Sequence, residues 1–353
     1  MGTDDKMIFV FLGGLKQVLG VSKFQNNPMK TYNWAILGCG KIAGKFSSDL
    51  KLLKNAKLYA AASRNLDRAK SFAGEHGFEK AYGSYTELVE DPEVDVVYIA
   101  TPHSHHMEHS ILCLEHKKAV LCEKALALNA KEVEAMIDSS RKNKTFLMEA
   151  FWTIFQPKFR KVLELASDPE LGQLKFVKSD FMFNPEVDPD KRLYNIELGA
   201  GSLLDIGIYP IFRSLVLLGK PTAIKTMPRL LASGVEESIF MLFDYENGSM
   251  AALTSSFAAH SKNETELCFE NGYIKFERDH DVPIILGKNG AEQAIKVDAG
   301  LGMGYELEAA HVMDCLDEGK IESPTLPLSF SLDLMKLMDE VRKDAGIVFP
   351  GRD

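Results

Sequence analysis

Short apolar runs and stretches with helical spacing take turns along the first half of the chain. Residues 34–37, 57–62, 94–100, 119–122 and 146–150 are dense apolar runs, the pattern of strands buried on both faces in a parallel sheet. Between them, residues 41–53, 65–75, a short segment capped by Ser84, 106–113 and 130–142 repeat apolar positions at helical spacing. A short strand is expected at Ala81-Tyr82. Strands alternating with helices of this length predict βαβ units and a parallel sheet. This first domain is expected to span 29–150.

The second half reads differently. Helical segments follow Gln156. Strand-like runs then lie at 175–183, 223–228, 238–244, 250–256, 265–270, 273–277 and 283–286. Glu246-Asn247-Gly248 and Asn271-Gly272 separate some of them, as hairpin turns do. Helices are expected at 203–218, 305–318 and 328–343. The pattern predicts a second domain, 151–353, built on a large, open, mainly antiparallel sheet with helices on one face. An uncovered apolar sheet face is a liability, so a subunit interface and a homodimer are expected there.

Residues 1–28 fit neither pattern. The apolar stretch from Met7 to Leu15 is too short for a membrane span, follows Asp4 and Asp5, and lacks a small-residue cleavage site. An extension outside the fold is expected, with Met29 directly before the first domain.

The chain has 353 residues, enough for two cores. Its net charge of −9, without a basic block, speaks against nucleic acid and against an anionic membrane surface as partners. The five cysteines (Cys39, Cys113, Cys122, Cys268, Cys315) are scattered, with no C-x-x-C pair. Free thiols in a reducing, cytoplasmic setting are expected rather than a disulfide framework or a zinc site.

Chemistry enters at Gly38-Cys39-Gly40-Lys41-Ile42-Ala43, a G-x-G-x-x-A string between the first strand and the first helix. Gly38 permits a tight turn, and Gly40 a close approach of backbone to a pyrophosphate. Ala43 lets the helix pack against the strand, while the N–H groups from Lys41 and Ile42 onward face the phosphates. The string points to a dinucleotide on a Rossmann domain; the plain alternative is a tight turn in another α/β protein. The second strand ends in Ser63-Arg64, where an acidic residue would select NAD. A guanidinium there suits a 2′-phosphate, so NADP is expected. Asp67 competes, but is expected on the helix facing solvent.

Ligands of open α/β sheets bind beyond the carboxyl ends of the strands. Those ends include Thr101-Pro102-His103 and Glu123-Lys124. Lys124 can hydrogen-bond a substrate hydroxyl or shift a neighbouring acid; otherwise it is a surface lysine paired with Glu123. Residues 103–109 hold four histidines (His103, His105, His106, His109). They resemble a metal site, but no thiolate or carboxylate partner is identifiable elsewhere. Contact of His103 and His106 with cofactor or substrate is expected instead, with no metal. In the second domain Asp205 and Tyr209 are four apart, on one face of a helix, with Pro210 marking a helix start or kink. With a lysine they make a proton-transfer set, provided a cation favours the phenolate. A capping aspartate and a core tyrosine remain the alternative.

These motifs together resemble the glucose–fructose oxidoreductase/inositol dehydrogenase (Gfo/Idh/MocA) superfamily. Ala100-Thr101-Pro102, His105-His106, Glu123-Lys124 and the glycine-led Asp205-x-Gly207-x-Tyr209 carry the likeness. Residues 147–152, 204–209, 302–306 and 322–328 resemble its dimeric dihydrodiol dehydrogenase branch, which also oxidises D-xylose with NADP. The resemblance implies hydride transfer between NADP and a carbinol or carbonyl carbon of a sugar, polyol or diol. It implies Lys124 and Tyr209 as the catalytic pair, Asp205 as an orienting acid, Trp152 as a substrate-pocket aromatic, and dimerisation through the open sheet. Two features depart from the common pattern: Ala125 follows Glu123-Lys124 where proline is usual, and Tyr209 stands where many relatives carry histidine. A keto-sugar reductase and a non-catalytic NADP-binding regulator are the competing readings.

Overall fold

The computed structural model describes residues 30–353; the expected extension at 1–28 lies outside the described residues. The described chain forms two compact units, residues 30–156 with 300–332, and residues 157–299 with 333–353.

The first unit opens with β1 (Tyr32–Leu37), α1 (Lys41–Leu50), β2 (Ala56–Ala62), α2 (Leu66–His76), β3 (Lys80–Tyr82), α3 (Tyr85–Glu90), β4 (Val96–Ile99), α4 (His106–Glu115), β5 (Ala119–Glu123), α5 (Ala130–Asn143) and β6 (Leu147–Ala150). The strands pair in parallel in the order β3-β2-β1-β4-β5-β6. Every residue of β4, β5 and β6 is buried, which is why these strands read as unbroken apolar runs. The order turns around between β1 and β4, and the strand ends there bound the binding crevice of this fold. Helix starts are set locally. Asn65, Ser84 and Asn129 each accept a backbone N–H three residues on. Glu87 and Glu132 reach back to the N–H groups of Gly83 and Leu128, completing two capping arrangements. Under the sheet, Phe46 of α1 stacks on Tyr98 of β4 with ring centroids 3.8 Å apart, and Trp34 leans on Phe46 at 5.6 Å.

The second unit contains α6 (Pro157–Ala166), β7 (Leu174–Met182), a π-helical turn at Leu203–Gly207, α7 (Ile208–Leu218), β8 (Ala223–Leu230), β9 (Glu236–Asp244), β10 (Met250–Ser256), β11 (Glu264–Phe269), β12 (Gly272–Glu277), β13 (Ile284–Lys288) and β14 (Ala291–Ile295). Its eight strands run β14-β13-β12-β11-β7-β10-β9-β8, antiparallel except for the β7–β10 pair. The mainly antiparallel sheet expected from the pattern is present. β14 was not anticipated, because Ala-Glu-Gln-Ala-Ile at a sheet edge carries no alternating apolar signal. One sheet face bears exposed Phe176, Met227, Phe240, Leu242 and Met250. Phe176 is opposite Met250, and Met227 opposite Phe240, so the patch crosses four strands.

The chain then gives α8 (Tyr305–Asp317) to the first unit, and α9 (Leu328–Ala345) ends the helical sequence. This corrects the expected boundary at 150, which assigned all of 151–353 to the second domain. Residues 151–156 and 300–332 group with the first unit. The physical reason is Asp49 of α1, whose Oδ2 accepts the N–H groups of Gly304 and Tyr305, each at 3.0 Å. A carboxylate from α1 thus caps the N-terminus of α8, a contact that strand and helix patterns do not reveal.

Candidate active site

Gly38 ends β1 with φ +102, and a Cβ there would lie 2.9 Å from Thr101 Cγ2 and 3.0 Å from the Ala100 carbonyl. This position requires glycine for the fold itself. At Gly40 a Cβ would meet only the Ala100 oxygen, at 3.9 Å. The fold therefore leaves space beside Gly40, where α1 begins without a side-chain cap. An open helix N-terminus behind a bare backbone is a cradle for phosphate, and the dinucleotide expected from sequence fits it, with the N–H groups of Lys41 and Ile42 at its start. Arg68 donates to the Cys39 carbonyl from Nε at 3.2 Å and Nη2 at 2.8 Å, so it braces the glycine loop. Cys39 itself is buried and its thiol is pushed up to about 11 by burial. All five cysteines are unpaired.

Beyond β2, Ser63 is buried and its Oγ accepts the Asn65 N–H, while Arg64 is exposed. Asp67 is exposed in the first turn of α2, as expected. The Arg64 charge acts on both Tyr85 and His109, whose rings meet edge-on at 4.6 Å. Tyr85 was not marked in the sequence, and His109 was marked only as part of the histidine segment, since α3 and α4 are brought there only by folding.

The histidine segment divides by role. The His106 ring sits between two carbonyls, with Nδ1 2.9 Å from Ala125 O and Nε2 2.8 Å from Thr101 O. It ties the loop after β4 to the loop after β5. His103 Nε2 is 3.2 Å from the Lys124 carbonyl. Both side chains thus contact the two strand-end loops, a bracing role that the expectation of cofactor or substrate contact did not include. Pro102 precedes this 3-10 turn in extended conformation, and Thr101 Oγ1 lies 3.0 Å from His109 Nδ1. His105, Glu108 and His109 bring their possible ligand atoms within 4.8 Å of one another. The carboxylate partner that the sequence reading sought elsewhere is Glu108, one turn along the same helix. Burial pushes His109 down to about 4.

Lys124 follows β5 and is half-buried, and its peptide bond to Ala125 is cis. Beside it, the Glu123 carboxylate accepts the Tyr98 hydroxyl. The loop is pinned from below by Glu149 of β6, fully buried, whose Oε1 accepts the Leu126 N–H at 3.0 Å. Burial raises the Glu149 carboxyl to about 7. Trp152 follows β6 in a 3-10 turn and stacks on Tyr305 of α8, with centroids 5.3 Å apart and planes at 30°. Gly304, with φ +108, leaves room for Gln156 where a Cβ would overlap it. Tyr305 and Glu149 are site neighbours that the sequence reading did not single out. Their only signals were the stretches 147–152 and 302–306 that carry part of the family likeness.

In the second unit, the helix expected from 203 to 218 begins as the π turn and becomes α-helical only at Ile208. Pro210 lies just inside that start, where its missing N–H costs little. Asp205, buried, accepts a hydrogen bond from Arg192 Nη1 at 2.9 Å. Arg192 is the partner that the sequence did not disclose. Tyr209 is buried with its ring 5.4 Å from Phe181. The turn is held by Glu236, fully buried, which accepts the Leu203 N–H. Gly201, with φ +115, lets that carboxyl in, since a Cβ would overlap Oε2 at 2.0 Å. Burial pushes Glu236 up to about 8.

Residues 32–151 match the model of an oxidoreductase family with an NAD-binding Rossmann fold. Residues 159–275 match the GFO/IDH/MocA C-terminal domain. The chain is similar to trans-1,2-dihydrobenzene-1,2-diol dehydrogenase of Danio rerio, 38% identical over 327 residues that cover 90% of this chain and 97% of the relative. It also resembles the structure of a 3-ketoreductase from Actinomadura kijaniata in complex with NADP and TDP-benzene (25% identity, TM-score 0.80, 90% of this chain and 98% of the other). A levoglucosan dehydrogenase in complex with NADH and L-sorbose shares the fold at 19% identity (TM-score 0.82, 90% and 97% covered). The chain belongs to the GFO/IDH/MocA family of NAD(P)-dependent oxidoreductases.

Proposed function

We propose that this enzyme uses NADP and transfers a hydride between the nicotinamide and a carbinol or carbonyl carbon of a sugar, polyol or trans-dihydrodiol. The observation that carries the cofactor choice is the end of β2. Ser63 and exposed Arg64 stand there in place of an acid, and the Arg64 charge reaches Tyr85 and His109. An arginine fork matches a 2′-phosphate in charge and in geometry. The substrate class rests on the relatives named as dihydrodiol dehydrogenases.

Bound NADP supplies the hydride acceptor in oxidation and the donor in reduction. The residues of the chain do the rest. Gly38, Gly40, Lys41 and Ile42 seat the pyrophosphate, and the loops at Thr101–His103 and Glu123–Lys124, tied by His106, form the crevice wall. Lys124 holds the reacting oxygen. Tyr209 takes the hydroxyl proton as the hydride leaves, or returns it in reduction. Asp205, held by Arg192, orients the site, and Trp152 with Tyr305 offers an aromatic surface to the substrate.

Two measurements test this. NADP should show a Michaelis constant at least tenfold below that of NAD, and Arg64→Ala should erase the difference; a clear NAD preference refutes the assignment. Tyr209→Phe and Lys124→Met should each lower turnover of trans-1,2-dihydrobenzene-1,2-diol or D-xylose by roughly three powers of ten or more, with little change in NADP affinity. Near-normal turnover in either variant overturns its role.

We also infer that the apolar patch of Phe176, Met227, Phe240, Leu242 and Met250 receives a second copy of the chain. A patch crossing four strands of an eight-stranded sheet suits a self-complementary partner. Leu242→Lys should turn a sedimenting dimer into a monomer, and a monomeric parent protein would exclude the dimer.

A further inference from the structure

Arg213 lies one helical turn after Tyr209 on α7. The strand beneath shows that the two side chains share a direction. Ser179 and Phe181 are two apart on β7 and therefore on one face. Arg213 Nη1 donates to Ser179 Oγ at 3.1 Å and to Thr265 Oγ1 of β11 at 3.0 Å, while the Tyr209 ring rests on Phe181. Arg213 is 5% exposed, and its guanidinium lies 5.7 Å from the centre of the Phe276 ring. Among the described residues it makes hydrogen bonds to those two hydroxyls and has no ion-pair partner, and its Nε has no hydrogen-bond partner. A cation buried without a carboxylate beside it is costly to the fold. Its field is correspondingly little screened. Burial pushes it down to about 10, so it stays charged near neutral pH.

We propose that Arg213 is a positioning residue for the proton transfer at Tyr209, its buried charge favouring the phenolate that accepts the substrate's hydroxyl proton. The inference rests on the reading of Tyr209 as the acid–base group. The proton moves from the hydroxyl to the phenolate oxygen while the hydride leaves the same substrate carbon; reduction reverses both. Other charges face this region from every side. Arg278 lies 4.8 Å from the Phe181 ring centre. Asp180 of β7 acts on Arg213 with opposite sign, and the Tyr209 phenolate does so too. Lys158 of α6, held by the carbonyls of Asp279 and Val282, feels the charges of Asp279, Glu277 and Arg213, and itself acts on His280. Asp205 is paired with Arg192. Arg213 differs from all of these in standing one turn after Tyr209 within α7 itself.

The test is a spectrophotometric pH titration of the cofactor-free protein at the phenolate band. Tyr209→Phe subtracts the other tyrosines. The Tyr209 step should move up by about one to two pH units in Arg213→Met and in Arg213→Gln. It should stay within a few tenths of a unit in Arg213→Lys, which keeps the charge. A purely structural role would move unfolding temperature in all three variants and leave the step in place. An unchanged step in both neutral variants, or an equal shift in the lysine variant, overturns the proposal. If Arg213→Met fails to fold, Arg213→Gln decides alone. The reading of Tyr209 stands or falls separately, on the turnover of Tyr209→Phe.

Discussion

Both units hold a candidate catalytic side chain next to a backbone segment pinned by a buried glutamate, and the resemblance ends there. In the first unit Glu149 takes the Leu126 N–H, two residues past Lys124. In the second, Glu236 takes the Leu203 N–H, two residues before Asp205. The first unit places its chemistry at the ends of parallel strands, where any βαβ fold binds its ligand. The second places it on an interrupted helix lying over an antiparallel sheet, a location that no general rule assigns. A general binding frame and a candidate acid–base group are thus built by different means. The frame follows from backbone geometry, the candidate group's place from side-chain packing around the π turn.

The largest effect that could break this comparison lies in the glycine loop. Gly38→Ala should destabilise the first unit by about 2–3 kcal/mol, through its positive φ and the contact with Ala100, and should abolish cofactor binding. Gly40→Ala should cost about 1 kcal/mol or less in folding and still weaken NADP binding by tenfold or more, because the space beside Gly40 is open. Thermal unfolding with and without NADP checks both. Equal stability losses would mean that Gly40 serves the fold rather than the ligand.

Next in size is the response to pH. Glu149 and Glu236 have folded-state values of about 7 and about 8, raised by burial from 4.5. The folded state keeps these protons where the unfolded state loses them. Their contribution is complete below about pH 4.5 and declines as pH rises through the folded values. Unfolding free energy from these groups should fall between about pH 4.5 and 8. Glu149→Gln should flatten the part ending near pH 7 and Glu236→Gln the part ending near pH 8. Chemical denaturation across pH 5–9 reads this, and slopes unchanged in both variants would remove the parallel between the units.

The smallest effect concerns Arg68, whose two hydrogen bonds brace the Cys39 carbonyl. Arg68→Ala should raise the NADP dissociation constant by about fivefold, at a stability cost of about 1 kcal/mol. A loss as large as that of Arg64→Ala, confined to NADP and absent with NAD, would instead give Arg68 a share of the 2′-phosphate.

The sequence by itself determined the parallel sheet, the dinucleotide loop and most of the second sheet. Each is written in local terms: buried strands are apolar along their whole length, and a turn at positive φ needs glycine. It also brought Lys124 to a strand end, because strand ends follow from strands. Only the tertiary structure decided that residues 300–332 join the first unit, since Asp49 caps a helix more than 250 residues away. The same holds for His106 between two carbonyls, Arg192 on Asp205, and Arg213 behind Tyr209. Glu149 and Glu236 looked like ordinary strand residues until folding buried them and aimed each at one N–H. Such pairings depend on which side chains long-range packing brings within hydrogen-bonding distance, and apolar periodicity records which face is buried without recording what it is buried against.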